Sequence, residues 1–198
     1  MMRPPRLDAV VKVGGSLYDL PDLAARLHEW LADEWHGGDG VLVVPGGGPP
    51  ADAVREWDRR HGLGEEKAHW LALRALALNA HFLASLLPYA CVIVDVNLCE
   101  QIWSERRLPI LDVHEFARAD DQRPGRLPHS WAVTSDALAA RVAVVAHARH
   151  LVLLKSAPMP TGVDWTEAGR LGLVDALFAE VLRDAPAELR VSLINLRG

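Results

Sequence analysis

The 198-residue sequence has little lysine and no long apolar run, and each shortage excludes a class of protein. Its lysines are Lys12, Lys67 and Lys155, and its net charge is -5, so no basic stripe is available for nucleic acid. Apolar runs such as 151–154 fall far short of the ~20 residues that a membrane helix needs, so no membrane span is expected. No signal-peptide pattern opens the sequence, which predicts a cytoplasmic protein.

Cysteine is also scarce, and this scarcity excludes zinc proteins with cysteine ligands and disulfide-rich proteins. Cys91 and Cys99 match neither a zinc-ligand set nor a disulfide framework, so both thiols are expected to be reduced. The nine histidines lack cysteine or carboxylate partners at ligand spacing, so no metal held by protein ligands is predicted. The apolar fraction of 50% and the charged fraction of 24% are ordinary for globular proteins, and the length fits one domain over 1–198.

Short apolar runs, the first two of them β-branched, alternate with segments of helical pattern along the chain. The runs predict strands at 9–13, 41–44, 90–94, 108–111, 151–154 and 191–194. The periodic segments predict helices at 21–35, 51–60, 64–87, 135–146 and 174–182. Gly37 and Gly38 are predicted to end the first helix, and 119–128 is predicted to be an exposed loop and a candidate substrate lid. This alternation predicts an α/β fold with a parallel sheet covered by helices on both faces.

Two glycine-rich segments follow the first two predicted strands. They are Lys-Val-Gly-Gly-Ser at 12–16 and Pro-Gly-Gly-Gly at 45–48. Glycine lets several backbone N–H groups converge on one phosphate, and ligands of open α/β sheets lie at the carboxyl ends of the strands. Neither segment is a Walker A motif or a dinucleotide fingerprint. The pair predicts a phosphoryl-transfer site, and a simple tight turn is the alternative for each segment alone.

The segments 12–16, 44–48 and 134–140, in this order, resemble the amino acid kinase family, which includes acetylglutamate, glutamate, aspartate and uridylate kinases. The resemblance implies a three-layer αβα sandwich on a mainly parallel sheet, and a small-molecule kinase that uses ATP and Mg. It implies an acceptor-binding part at 1–130 and a shortened nucleotide-binding part at 131–198. Because relatives commonly pair, and 64–87 is apolar on many faces, a homodimer or higher homo-oligomer is expected.

The resemblance also implies roles for individual residues. Lys12 resembles the lysine that neutralises the transferred phosphoryl group, and Asp136 resembles the aspartate that orients the lysines, with a helix cap as the alternative for Asp136. The residues expected to bind phosphate and substrate are Gly14, Gly15, Ser16, Gly46, Gly47 and Gly48. The residues expected to bind the nucleotide are Thr134, Ser135, Lys155 and Ser156. Trp131, just before this last group, is a candidate ligand contact.

The C-terminal half departs from the family pattern. Many members carry a second catalytic lysine there in a Gly-Gly-Met segment, whereas no lysine follows Lys155 in this sequence. Either Lys155 or an arginine such as Arg141 takes that role, or turnover is weak. A non-catalytic protein of the same fold, binding a nucleotide or an oxyanion for storage or regulation, is therefore the alternative.

The segments 174–178 and 191–195 resemble one branch of the family, the small kinases of methanofuran-type one-carbon cofactor synthesis. This branch transfers a phosphoryl group from ATP to an aminomethylfuran phosphomonoester. A carboxylate acceptor would need a cation near the glycines, and Lys12 is already assigned to the transferred group. The amides at 46–48 can instead hold a phosphate at a helix start, so a phosphomonoester acceptor is expected, with an amino-acid carboxylate as the alternative.

Overall fold

A computed structural model describes residues 7–35, 40–160 and 162–198. Its strands are β1 (Ala9–Val13), β2 (Val41–Pro45), β3 (Ala90–Ile93), β4 (Leu108–Leu111), β5 (His150–Lys155) and β6 (Arg190–Asn195). They form one six-stranded sheet in the order β3-β4-β2-β1-β5-β6, and every neighbouring pair is parallel. The predicted α/β fold is therefore confirmed, and all of the pairings are parallel rather than most of them.

The helices are α1 (Leu23–Trp35), α2 (Gly48–His61), α3 (Glu65–Leu86), α4 (Cys99–Ser104), α5 (Val113–Asp120), α6 (Ser135–Val145), α7 (Trp165–Arg170) and α8 (Ala176–Arg183). None of those described is long and apolar enough to cross a membrane. Helices α4, α5 and α7 were not predicted. The prediction of an exposed loop at 119–128 is wrong at its start, because Asp120 ends α5 and is buried. Gly37 and Gly38 lie outside the described residues.

Side chains of β1 alternate between the two faces of the sheet and pack in two separate cores. Ala9, Val11 and Val13 pack against the buried leucines of α1. Val10 faces the other way and packs with the apolar residues of α5, α6 and α8. Because successive strand residues point to opposite faces, this alternation covers both faces with helices and makes the three-layer αβα sandwich.

Three chain segments leave the carboxyl edge of the sheet side by side. Val13 at the end of β1 is paired with Pro45 of β2 on one side and with Leu154 of β5 on the other. The segments 14–16, 46–48 and 155–156 therefore emerge at the same edge. Because β1 has later strands on both sides, this is the point where the connections of an open α/β sheet diverge and where such sheets bind ligands.

Candidate active site

Three charged side chains meet at the carboxyl edge of β1 and β5. Nζ of Lys12 lies 2.9 Å from Oδ1 of Asp136, and Nζ of Lys155 lies 2.6 Å from Oδ2 of the same carboxylate. Lys12 and Asp136 are each only 4% exposed. Two ammonium groups and one carboxylate leave a net charge of +1 on these residues, which we call the Lys-Asp-Lys cluster.

Strand alternation explains why the two lysines face the same carboxylate. Lys12 lies on the face of β1 that Val10 shares with α6, and Lys155 lies on the face of β5 that Leu153 shares with α6. Asp136 is in the first turn of α6, so it lies above this face. The register pairs Lys12 with Leu153, which places Lys155 just beyond Lys12 along the neighbouring strand.

The pKa values of Asp136 and Lys155 are shifted by burial and by the other charges of the Lys-Asp-Lys cluster. Burial alone would raise the pKa of Asp136, but the ammonium groups of Lys12 and Lys155 outweigh it and hold this pKa below its usual range. Burial lowers the pKa of Lys155, and the nearby Lys12 charge lowers it further, against the opposing effect of Asp136. Asp136 is therefore ionised at neutral pH, and Lys155 loses its proton more readily than an exposed lysine.

Lys155, rather than Arg141, supplies the second cation at Asp136. The Lys155 ammonium also donates to the carbonyl oxygen of Leu173 at 2.9 Å, which fixes its position. Arg141 points elsewhere: its Nε and Nη2 bind the two carboxylate oxygens of the buried Asp120 at 2.7 and 2.9 Å. Arg141 also donates to the carbonyl oxygen of Pro124 and therefore holds the loop after α5. Of the two residues, Lys155 is the one that contacts Asp136, and its role as the second catalytic cation stays a prediction.

Asp175 joins α8 to the start of α6, where Asp136 lies. Its Oδ2 accepts hydrogen bonds from Oγ1 of Thr134 at 2.6 Å and from the backbone N–H of Ala137 at 3.0 Å. Its Oδ1 caps α8 by accepting from the N–H of Phe178 at 2.8 Å. Thr134 in turn caps α6. Asp175 lies in the segment 174–178, for which the sequence indicated only a resemblance. In the structure it fixes the helix that carries Asp136.

The two glycine-rich segments pack backbone against backbone. A Cβ added to Gly15 would collide with the backbone of Gly48, and one added to Gly46 would collide with that of Gly15. The N–H of Gly14 donates to Leu154 at 2.8 Å, and the N–H of Gly46 donates to the Tyr18 hydroxyl at 2.8 Å. The structure gives the N–H groups of Gly15, Gly47 and Gly48 no acceptor among the described residues, so these three amides can bind a ligand.

An open cleft with a cavity volume of about 160 Å³ lies in front of Gly47 and Gly48, between α2, α3 and residues 131–135. Thr134 and Ser135, assigned above to the nucleotide, line this cleft. Its other lining residues are the apolar Ala51, Ala72, Leu73, Leu76, Trp131, Val133 and Leu138 and the polar or charged Asp52, Arg55 and His69. The cleft therefore suits a small organic group with a phosphate at one end, and the nucleotide role of Thr134 and Ser135 stays a prediction.

Trp131 forms one wall of the cleft and is held on both sides. Its indole Nε1 donates to Oδ2 of Asp58 at 2.7 Å, and the Arg55 guanidinium lies 4.9 Å from its ring centroid. Across the site, the hydroxyl groups of Ser16 and Ser156 are 2.9 Å apart. This last contact links the segment after β1 to the segment after β5.

Two residues at the site, Tyr18 and Asn79, were not predicted. Tyr18 holds Gly46 through its hydroxyl, and Asn79 donates to the carbonyl oxygens of Gly46 and Gly47. Asn79 carried a signal: it is polar, yet it lies between Leu76 and Leu83 on the apolar stripe of α3. A polar residue in such a stripe needs a buried hydrogen-bond partner, so the position of Asn79 is a sequence signal for a buried polar contact.

Within the described ranges, no group of three or more His, Cys, Asp or Glu side chains could hold a metal ion. Asp136 is the one carboxylate of the cluster, and both of its oxygens are bound by ammonium groups, so it leaves no free ligand for a metal ion. Mg²⁺ is commonly held by substrate phosphates and keeps several waters, so a Mg²⁺ here would be held by the phosphates of a nucleotide rather than by the cluster.

A parallel α/β sheet with glycine segments and buried lysines at its carboxyl edge defines a class of phosphate-binding proteins. Comparison with protein families narrows this class. The model of the amino acid kinase family matches residues 9–158, so the chain belongs to the amino acid kinase family.

Individual relatives agree with this membership. The chain is 26% identical over 145 residues to (5-(aminomethyl)furan-3-yl)methyl phosphate kinase of Methanocaldococcus jannaschii, and the match covers 73% of this chain and 63% of that relative. Uridylate kinase from Archaeoglobus fulgidus has a TM-score of 0.66 at 19% identity, covering 96% of this chain and 92% of that one. Aspartate kinase from Synechocystis has a TM-score of 0.62 at 12% identity, covering 93% of this chain and 38% of that one. The two solved structures share the fold.

Proposed function

We propose that this protein is an ATP-dependent kinase that phosphorylates a phosphomonoester. The observation that carries the proposal is the Lys-Asp-Lys cluster, because it supplies two positioned cations in spite of the missing C-terminal lysine. Phosphoryl transfer needs little covalent chemistry from a protein and depends on positioning and on neutralising the charge of the transferred group. The net charge of +1 on the cluster suits that task.

In the proposed reaction, an oxygen of the acceptor phosphate attacks the γ-phosphorus of ATP. A new P–O bond forms, the bond from the γ-phosphorus to the bridging oxygen breaks, and ADP leaves. The acceptor phosphate is largely deprotonated near pH 7, since its second pKa is about 6, so no general base is needed. Lys12 and Lys155 offset the negative charge on the transferred group, and Asp136 holds both ammonium groups in place. Mg²⁺ bound to the ATP phosphates would supply further positive charge.

The acceptor we propose is (5-(aminomethyl)furan-3-yl)methyl phosphate. The N–H groups of Gly47 and Gly48 would receive its phosphate at the start of α2, where the helix dipole favours an anion. The apolar side chains on one part of the lining, such as Leu73, Leu76 and Trp131, suit a flat ring. The relative from Methanocaldococcus jannaschii is named for this compound, and that name supports the choice.

The test is a substrate panel with ATP and Mg²⁺. We expect ADP release and a diphosphate product, detected by ³¹P NMR, with the aminomethylfuran phosphate, and less or no turnover with uridylate. Glutamate, acetylglutamate and aspartate are the carboxylate acceptors to compare, and they are expected to be inert. Phosphorylation of one of these amino acids, with both phosphomonoesters inert, would overturn the proposed acceptor.

A binding measurement separates an enzyme from a non-catalytic relative. A ligand that binds only the native state raises the melting temperature by mass action. ATP and the acceptor should each raise it, and turnover should follow when both are present. Stabilisation by ATP without turnover of any acceptor in the panel would favour the binding protein over the kinase.

A further inference from the structure

Asn79 contacts the glycine segment 46–48 from the side that faces α3. It is 3% exposed on α3, and its Nδ2 donates to the carbonyl oxygen of Gly46 at 2.8 Å and to that of Gly47 at 2.6 Å. Both partners are acceptors only, so the amide nitrogen, rather than the amide oxygen, must face them. Asn79 therefore holds two consecutive peptide units at once.

Peptide geometry turns these two bonds into a constraint on the opposite side of the chain. The C=O and N–H groups of a trans peptide unit point in opposite directions, and no described peptide bond is cis. Holding the carbonyl of Gly46 on the α3 side therefore directs the N–H of Gly47 away from α3. Holding the carbonyl of Gly47 does the same for the N–H of Gly48. These are the amides that have no acceptor among the described residues and that border the cleft.

The backbone angles fit an anion site. Gly47 is right-handed helical, with φ -74° and ψ -54°, and Gly48 has a φ of +52°. Successive residues of opposite hand converge their N–H groups into an anion-binding concavity. Glycine also permits the flipped arrangement, in which a carbonyl oxygen would face the anion and repel it. The freedom that builds this concavity therefore requires a side chain that locks it.

We propose that Asn79 is a positioning residue that fixes the peptide planes of Gly47 and Gly48, so that both amides receive the acceptor phosphate. The proposal rests on the proposed function, because it assumes that a phosphate group occupies this end of the cleft. Tyr18 supports this arrangement, since its hydroxyl accepts from the N–H of Gly46 and donates to the Gly46 carbonyl. The Gly47 carbonyl is held by the side chain of Asn79 and not by that of Tyr18. Asn79 is thus expected to act on orientation rather than to touch the phosphate.

The first experiment needs no variant. Inorganic phosphate is added to the ¹⁵N-labelled protein, and the backbone amide signals are followed by NMR. The signals of Gly47 and Gly48 should shift, whereas that of Gly46 should move little because its N–H is bonded to Tyr18. A large shift at Gly46, with Gly47 and Gly48 unchanged, would overturn the proposed orientation.

The second experiment uses Asn79→Asp, which keeps the shape but removes both N–H donors. We expect phosphate to bind about 10- to 100-fold more weakly and kcat/KM for the accepted substrate to fall by a similar factor. Asn97→Asp is the matched control, because Asn97 donates to Asp95 in an exposed turn away from the cleft. That control should leave phosphate binding unchanged.

The pH dependence of Asn79→Asp separates positioning from general damage to the fold. Burial and two facing carbonyl oxygens should raise the pKa of the new carboxyl, and once protonated it can donate one of the two lost hydrogen bonds. The ratio of kcat/KM in the variant to that in the unchanged protein should therefore increase as the pH falls. Burial raises the pKa of the neighbouring Tyr18, so its hydroxyl stays protonated over this range. A ratio that is flat with pH, or phosphate shifts equal to those of the unchanged protein, would overturn the role of Asn79.

Different experimental results would refute the positioning role of Asn79 and the proposed kinase activity. If phosphate moves the Gly47 and Gly48 signals and Asn79→Asp abolishes that effect, the positioning role stands even when the aminomethylfuran phosphate is not phosphorylated. If the aminomethylfuran phosphate is phosphorylated equally well by Asn79→Asp, the kinase stands and the positioning role does not.

Discussion

Replacing Lys155 with methionine tests whether it is the second catalytic cation. Its ammonium is 2.6 Å from Asp136, and without it the net charge of the Lys-Asp-Lys cluster falls from +1 to 0. Loss of one preorganised charge that faces a transition state typically costs ~3–4 kcal/mol, which is about 10²- to 10³-fold in kcat. We expect a fall of that size in Lys155→Met, with a smaller effect on KM for the acceptor.

The stability of the same variant should change much less. Removing one partner of a buried ion pair costs ~3–5 kcal/mol when it leaves an unpaired charge. Here Lys12 still neutralises Asp136 at 2.9 Å, so the free energy of unfolding should fall by only about 1–2 kcal/mol. In Asp136→Asn, by contrast, two buried ammonium groups would face each other without a carboxylate, and the loss of stability should be larger.

The assay is steady-state ADP release with urea unfolding measured in parallel. Lys67→Met is the matched control, because Lys67 is the remaining lysine of the chain and is exposed on α3. It should keep full turnover. Near-normal kcat in Lys155→Met would refute the reasoning, since Lys155 would then only neutralise Asp136 and the transferred group would need another cation.

Other predictions follow from the site and from the surface. Lys12→Ala should lower kcat by at least ~100-fold without unfolding the protein, as measured by ADP release and thermal melting. Burial lowers the pKa of His69 from 6.5, so the unfolded chain binds a proton at a higher pH than the folded protein does. The free energy of unfolding should therefore fall as the pH drops below about 6.5, the value for an unfolded histidine. Urea titrations should show that the free energy of unfolding of His69→Gln depends less on pH. Leu78 and Phe82 are 59% and 37% exposed on α3. If they form a homodimer interface, Leu78→Arg should halve the mass found by ultracentrifugation, and an unchanged chain that is monomeric at micromolar concentration would contradict the dimer.

The strands could be predicted from the sequence because each contains a short, mostly apolar run, and the long helices because their periodicity extends over several turns. Helices α4 and α7 have six residues each, which is less than two turns, so no periodic pattern is available to predict them. Helix α5 did carry a usable signal, since Asp112 caps it by accepting from the N–H groups of His114 and Glu115. The sequence therefore contains a signal for the start of α5, although it contains no periodic pattern for α4 or α7.

The availability of the glycine amides could not be predicted in the same way. Counting glycines suggests that Gly14, Gly46, Gly47 and Gly48 are equivalent donors. In the structure, Leu154 takes the N–H of Gly14 and the hydroxyl of Tyr18 takes that of Gly46. Which amide is available depends on partners from elsewhere in the chain, and local sequence does not specify those partners.

No lysine follows Lys155 in the sequence, but the strand order shows that Lys155 itself lies beside Lys12. The sequence gives no sign that β1 and β5 are neighbours, because their pairing brings together distant parts of the chain. With that pairing, Lys155 leaves β5 beside Lys12 and reaches Asp136 on α6. The charges of the Lys-Asp-Lys cluster thus come from the neighbouring strands β1 and β5 and from α6, which covers them. The segment after β5 contributes none of these charges, so the absence of a lysine there is a poor guide to whether the site can neutralise a phosphoryl group.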